Sequence, residues 1–461
     1  MADSGQLTGS DTLELHRLAE QSMTQIIEKG TPNKPIPINF RNVLGSVGNR
    51  DRYSHLIHWY PAKLFYRIPQ FILLSEIGQT SNLVVDLFCG SGTVLLEALV
   101  ASKKAYGVDI NPIAKLIARV KTSIYDERLL RSQWEDIKGK LANGYRAEEL
   151  PSFPNMDYWF DLRTVNDLAR IRSCIKSISQ GRNRDFFEVC FSSIIRKVSL
   201  ADPSVAPPVK LDPERLRKNN KKYYKALRLT KARQSQDVYA IFANHTERNI
   251  ERLSRLAALG LAGCEVSIPS DATALNTGLA DGSADLIITS PPYMSAQKYV
   301  RSVELELFWL GYKVDKVREI DRNTVGTERV RKEDYKSKPQ CGHPNLDKMI
   351  SAVYQFYPRR AYMAAKYLTD MKRFLEECKR ILKHDGNMFL VIGNNKVCGT
   401  WFPMDKAIID FAATSGLYLH RSFVDSIPSR GLMTKRNRTA SVIPEERILW
   451  FKKSHEARRT A

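Results

Sequence analysis

Two short stretches concentrate residue types that can do chemistry. DLFCGSGT (86–93) sets Asp86, Gly90 and Gly92 after an apolar, β-branched run. Glycines where a strand ends let the backbone come close to a ligand, and the helix N-terminus that follows favours a carboxylate or phosphate. Asp109 stands 23 residues after Asp86, where an acid can accept both hydroxyls of a ribose. Asp271, in PSDA, is placed to accept from an adenine amino group. The second stretch, TSPPY (289–293), puts Ser290, Pro291, Pro292 and Tyr293 at the end of ADLIIT. Consecutive prolines cannot donate to a sheet ladder and force extended backbone. A buried strand therefore ends in a rigid knuckle of oxygens and one aromatic ring.

The glycine loop lacks the Gly-Lys-Ser/Thr of a phosphate P-loop and the third glycine of the dinucleotide fingerprint. Three acids ending three successive strands suit a small nucleoside such as S-adenosylmethionine, although a lone Gly-x-Gly also serves tight turns. Phe88 either packs on that ligand or fills core. The Pro-Pro-Tyr knuckle has a second reading as a polyproline ligand, but such ligands lie in exposed segments rather than at the end of a buried strand.

These residues need a sheet to hold them. LVVDLFC (83–89), the helical TVLLEALVASKK and AYGVDI (105–110) form a strand–glycine loop–helix–strand series, the βαβ unit of a parallel sheet. Strand patterns return at 264–269, 285–289, 387–393, 417–427 and 447–453, giving seven in all, the last two suited to an antiparallel pair at one edge. Between them, residues 123–261 read as a mostly helical insertion broken by ADPSVAPPVKLDP.

A formal charge of +21, from 71 Lys+Arg against 50 Asp+Glu, favours a polyanionic partner, nucleic acid before an acidic membrane. The 7 cysteines are scattered without a Cys-x-x-Cys pair, which fits reduced thiols in a cytosol better than a disulfide framework. CGH (341–343) offers two metal ligands without a second pair, so no metal is expected. MADSGQLTGSD lacks the regions of a signal peptide, and the absence of a long apolar run predicts a chain without membrane spans.

Taken together, the motifs resemble those of the S-adenosylmethionine-dependent amino-methyltransferases of DNA, which act on cytosine N4 or adenine N6. DLFCGSGT is similar to their cofactor loop, GVDINP to the segment with the ribose acid, SDA to that with the adenine-side acid, and TSPPY to their catalytic motif. HWYPAKLFYRIPQFI (58–72), with Pro61 and Lys63, resembles the segment that packs on the methionine part. The resemblance covers 55–125, 262–312 and 370–455. It implies a Rossmann-like, seven-stranded α/β methyltransferase sheet, S-adenosyl-L-methionine as cofactor, double-stranded DNA as partner, a cognate restriction endonuclease, and a bacterial cytosolic, nucleoid-associated setting. The expected division is 1–50 N-terminal helix and connector, 51–122 cofactor part, 123–261 insertion, 262–312 catalytic part, 313–369 target-recognition region and 370–461 the rest of the core.

The chemistry of that family accounts for the knuckle. An exocyclic base amine is a poor nucleophile because its lone pair is delocalised into the ring. The Ser290 hydroxyl oxygen and the Pro291 carbonyl, accepting its two N–H groups, would draw the nitrogen toward tetrahedral geometry. Pro292 stiffens the bend, and the Tyr293 ring would stack on a base taken out of the duplex. Cytosine N4 members commonly carry Ser at the first motif position, so Ser290 favours cytosine N4 over adenine N6. A C5 enzyme would need a Pro-Cys, which is absent. Gly393 and Asn394 either line the base pocket or form a simple turn.

Residues 215–233, RLRKNNKKYYKALRLTKAR, hold nine basic and no acidic residues. Arg217, Lys218, Lys221, Lys222, Tyr223 and Lys225 are expected to meet phosphates, although charge runs are often only solvated faces. Only 14 positions separate Asp271 from Asp285, which leaves recognition to 123–260, to 313–345, or to both. Rival readings are a guanine-N2 RNA methyltransferase, whose knuckle starts with Asp, and an inactive methylase-like DNA-binding subunit.

Overall fold

The computed structural model describes residues 9–29, 31, 34–45, 52–147, 150–261, 263–294, 298–426 and 444–453. Its strands are β1 Ile36–Pro37, β2 Leu83–Asp86, β3 Lys104–Gly107, β4 Val266–Ser267, β5 Ala284–Thr289, β6 Leu382–Ile392, β7 Asn395–Val397, β8 Thr400–Phe402, β9 Leu417–Ser426 and β10 Glu445–Lys453. Eight of them form one sheet in the order β1-β9-β10-β6-β5-β2-β3-β4, and β7 and β8 make a separate hairpin. From β4 to β6 every pairing is parallel.

The parallel strands are apolar throughout because both faces are covered. Alternate residues go to opposite layers. Val84, Leu286, Ile288, Phe389 and Val391 pack under the helices Thr93–Val100 and Arg67–Leu74. Val85, Ile287, Met388, Leu390 and Ile392 pack under Pro358–Ile381 and Met404–Thr414. One residue of slip would exchange the layers, so the pattern also fixes register.

All seven expected strands are present. The sheet nevertheless has eight, since Ile36 and Pro37 of the N-terminal connector pair with Phe423 and Val424. The expected antiparallel pair of β9 and β10 forms, but β1 covers its outer side, so it is not the sheet edge. β6 starts at Leu382, five residues before the expected start, and Ile427 of the expected last-but-one strand lies outside the described residues.

Residues 123–261 contain the helices Glu127–Ala142, Leu162–Lys176, Arg182–Val198, Asn220–Gln234 and Val238–Ala257. Their shared core, with Trp134, Phe186, Phe191 and Phe242, is continuous with Ile117 of the helix after β3 and Trp309 of the helix after the knuckle. No described helix is long and apolar enough to cross a membrane.

Candidate active site

The strand order places β2 between β3 and β5, which leave β2 on opposite sides. The crevice at the carboxyl ends of strands that part in this way is where open α/β sheets hold ligands. Asp86 ends β2 and Thr289 ends β5, and the Thr289 hydroxyl donates to Asp86 Oδ1 at 2.7 Å. The Phe88 N–H donates to the same oxygen at 3.1 Å. The knuckle is thereby tied to the glycine loop by a buried hydrogen bond, and Ser290 begins the turn immediately beyond it.

The loop itself closes tightly. Gly90 and Gly92 have φ of +48° and +76°. A side chain on Gly92 would place its Cβ 2.9 Å from that of Ala118. Asp109, just past β3, accepts from the N–H of Gly90 at 2.9 Å and of Asn111 at 2.8 Å. Tyr60 lies beside Gly90 and receives a hydrogen bond from Asn111 Nδ2 at 3.2 Å.

Burial pushes the Asp86 carboxyl up to about 7, against hydrogen bonds from Thr289 and Phe88 and with help from the Asp109 charge. Asp109 is likewise pushed up by burial to about 6, although the N–H groups of Asn111 and Gly90 and the Lys115 ammonium oppose this. Neither acid has an ion pair within salt-bridge distance among the described residues. A buried acid, Asp86, with the half-buried Asp109 close by suits a ligand that brings hydroxyl donors and a positive charge. A sulfonium nucleoside has both, so the residues fit S-adenosylmethionine.

Asp271 is exposed beyond β4. Lys115 donates to the carbonyl of its neighbour Ser270 at 2.5 Å, which draws this turn toward the Asp109 side. Pro61 is buried next to Tyr60. Lys63 serves the segment itself: its ammonium donates to the carbonyls of His55, at 3.3 Å, and His58. Burial and the nearby Arg252 lower it to about 8. Phe88 packs on Phe374, with ring centroids 5.1 Å apart, which is the core-filling arrangement.

At the knuckle, Pro291 is buried and Ser290, Pro292 and Tyr293 are half-buried. The Tyr293 hydroxyl donates to Glu446 Oε1 of β10 at 2.9 Å. Burial raises the Glu446 carboxyl and the Tyr293 phenol alike. Tyr299 lies against the backbone of Tyr293 and feels the charges of Asp109 and Glu446, so the phenols of residues 60, 293 and 299 line one polar wall between the acid and the knuckle. Glu446, Tyr60 and Tyr299 escaped the sequence reading. Glu446 is 153 residues from Tyr293 and only strand pairing brings it in; in the sequence it is one of three consecutive charged residues, 445–447, and nothing sets it apart.

Asn394 Oδ1 accepts from the Asp405 N–H at 3.0 Å, where a helix begins, as in a structural turn. Its neighbour Asn395, 1% exposed, donates Nδ2 to the Met294 carbonyl and so braces the knuckle instead. His343 is spent at the start of the helix Pro344–Tyr354, where it accepts from the Leu346 N–H at 3.5 Å and pairs with Asp410 at 3.2 Å. Beside the knuckle, Gly326 approaches Pro292 and Tyr367, and a cavity of about 670 Å³ opens between residues 298–304 and 321–329. Arg301, Arg329 and Arg360 line it with Glu304, Asp321 and Glu328.

On the insertion, Arg217, Lys218, Lys221, Lys222 and Lys225 are exposed and Tyr223 half-buried, on and before the helix Asn220–Gln234. Arg217 pairs with Glu214 at 3.0 Å.

A parallel sheet with a glycine loop, two acids and a Ser-Pro-Pro-Tyr bend around one crevice defines a methyltransferase-type site. Residues 284–460 match the family of DNA methylases designated N6_N4_Mtase. The type II methyltransferase M.MvaI of Kocuria varians is 22% identical over 414 residues, covering 86% of this chain and 88% of that protein. M.MjaII of Methanocaldococcus jannaschii, also named a type II methyltransferase, is 31% identical over 95 residues, or 21% of this chain and 18% of that one. A solved rRNA methyltransferase, AviRa of Streptomyces viridochromogenes, aligns over 90% of this chain and 96% of its own at 11% identity, with a TM-score of 0.32 that is too low to bear on fold or function. The chain is thus similar to DNA methylases over 284–460 and to a named type II methyltransferase along most of its length.

Proposed function

We propose that this protein is a DNA amino-methyltransferase that moves a methyl group from S-adenosylmethionine to an exocyclic amine, cytosine N4 in preference to adenine N6, on double-stranded DNA. The observation that carries the reading is the 2.7 Å hydrogen bond from Thr289 to Asp86, which sets Ser290 beside the glycine loop. The DNA methylase family match over 284–460 includes the knuckle and supports DNA as substrate, and the relatives are named methyltransferases.

Bound at this edge, the cofactor supplies an electrophilic methyl on a sulfonium. Asp109 would hold the ribose hydroxyls, Asp271 the adenine side, and Asp86 would offer negative charge to the positive end. Gly90 and Gly92 allow the backbone to approach. Ser290 Oγ and the Pro291 carbonyl would accept the two N–H groups of the target amine and so free its lone pair. Pro292 holds that carbonyl in place. The Tyr293 ring stacks on the displaced base while Glu446 fixes its hydroxyl. The preference for cytosine rests on Ser at position 290.

Residues 313–345 supply target recognition in this reading, supported by the packing of Gly326 on the knuckle and by the adjoining cavity. A paired restriction endonuclease in a bacterial cytosol is the setting we propose, and it rests on the resemblance of the motifs. Mass spectrometry of nucleosides from DNA and RNA of a host expressing the protein is the test. N4-methylcytosine in DNA is expected. N6-methyladenine would overturn the base preference, modification of RNA alone would overturn the substrate, and unmodified nucleic acid with intact cofactor binding would point to an inactive subunit.

A further inference from the structure

A second cationic surface lies at the meeting of two insertion helices with the segment over the glycine loop, and of the run 215–233 Arg233 at its end takes part in it. Helix Val238–Ala257 carries His245, Arg248, Arg252 and Arg255 at spacings of three, four and three, which is one helical face. Between them, Asn249 Nδ2 donates to the Ile57 carbonyl at 3.0 Å and docks this helix on the segment that contains Tyr60. Lys197, in the last turn of helix Arg182–Val198, donates to His245 Nε2. An ammonium has only protons to give, so His245 is neutral and carries its proton on Nδ1, 3.3 Å from Ser193 Oγ. The Ser193 hydroxyl in turn donates to the Cys190 carbonyl at 2.7 Å. The imidazole thus holds Lys197 in place without neutralising it.

The surroundings of this pair are positive. Burial and then the charges of Arg248, Arg233 and Arg252 lower the Lys197 ammonium. Burial, followed by Lys197, Arg252 and Arg248, lowers His245 to about 4. Arg252 also acts on Lys63, so the row runs on to the rim of the cofactor edge. At that rim Trp59 is 37% exposed, with the Arg196 guanidinium over its ring at 4.8 Å. Like charges gathered this closely repel one another, and a polyanion laid across them relieves the repulsion.

We propose that Lys197, Arg248 and Arg252, with His245 as their neutral brace, form a phosphodiester-binding site that holds the DNA backbone beside the nucleotide presented to the knuckle, with Trp59 at its edge. The inference rests on the reading of the chain as a DNA methyltransferase. It differs from the expectation for Arg217 to Lys225 in placing the anchoring phosphates on the helix docked to the cofactor-side segment.

The test is binding of a fluorescein-labelled 12-base-pair duplex, followed by anisotropy across a series of salt concentrations, with the full-length protein. For K197Q/R248Q the slope of log K against log salt should become shallower by about 2, at roughly 0.9 for each phosphate that is no longer neutralised. K221Q/K222Q on the other helix serves as the comparison. Independently of any variant, nuclear magnetic resonance of His245 should show its titration midpoint rising when the duplex is added, because phosphates offset the neighbouring cations. Wild-type binding with an unchanged slope in K197Q/R248Q, or a His245 midpoint unmoved by bound duplex, overturns the site while leaving the DNA reading intact. A wild-type protein that ignores duplex at low salt overturns both. If the double variant fails to fold, the His245 titration decides.

Discussion

Replacing Asp86 by Asn should make the cofactor-free protein more stable at alkaline pH while impairing its function. Asp86 is 3% exposed, and its two protein hydrogen bonds, from Thr289 and Phe88, both fall on Oδ1. An asparagine can keep that oxygen in place and accept both. What it cannot do is ionise. Burial raises the folded-state carboxyl from 3.8 to about 7. Between those values the folded protein retains a proton that the unfolded chain has released, so stability falls as pH rises through the window and levels off above it. A gap of about three pKa units, at roughly 1.4 kcal/mol each, makes the ionised side chain cost about 4 kcal/mol at pH 8. The variant should therefore match the wild type near pH 4 and exceed it by about 3–5 kcal/mol at pH 8.

Urea unfolding at pH 4, 6 and 8, followed by tryptophan fluorescence without cofactor, measures this difference. Calorimetry adds a second view. A cation bound beside Asp86 returns the carboxyl to its ionised form, so cofactor binding near pH 6.5 should release protons from the wild type, read as a binding enthalpy that depends on the buffer. The Asp86→Asn variant should release fewer, keeping only the share from Asp109. Parallel loss of stability in both proteins between pH 4 and 8 would refute the reasoning, because it would mean that Asp86 is ionised without cost in the fold.

Ser290→Ala should cut the methyl-transfer rate by about 10²–10³-fold, the scale of removing one preorganised polar group, with cofactor affinity by calorimetry nearly unchanged. Asp109→Ala should do the reverse first, weakening cofactor binding by about 10–100-fold as charged hydrogen bonds disappear, while the Gly90 and Asn111 N–H groups lose their acceptor. Tyr293→Phe leaves Glu446 without its donor and should cost about 1–3 kcal/mol in urea unfolding, with a larger deficit at high pH, where that carboxyl is ionised. Gly92→Ala meets both a φ of +76° and the Ala118 methyl at 2.9 Å, so a lowered thermal midpoint together with weaker cofactor binding is expected.

The sheet was legible because its signal is local. Leu286, Ile287 and Ile288 announce a strand covered on both faces, and glycines at 90 and 92 announce the turn after β2. The loop and knuckle were legible for the same reason, since each is a short contiguous run. Pairings across long separations were not. Ile36 and Pro37 carry little strand pattern of their own and are recruited by the open side of β9. The bracing of the knuckle by Glu446 and Asn395 depends on β6 and β10 lying side by side, which no local pattern records. Asn394 illustrates the converse: a residue at the right strand end whose side chain is taken by the next helix.

The insertion shows why the functional reading had to come from the core while the binding surface needed the structure. Residues 123–261 leave after the helix that follows β3 and return before β4, a strand of only two residues. A long excursion there disturbs only the thin end of the sheet. Its helices then fold back on the cofactor side, where Asn249 holds Ile57 and Arg196 sits over Trp59. These interactions join charges at 197, 233, 248 and 252, which come from three helices and look unremarkable singly in the sequence. The run 215–233 is denser in the sequence, but helix Val238–Ala257 is the one docked on the segment over the glycine loop. Proximity to the reacting groups, set by tertiary packing rather than by charge density along the chain, is what separates a phosphate anchor from a solvated basic face.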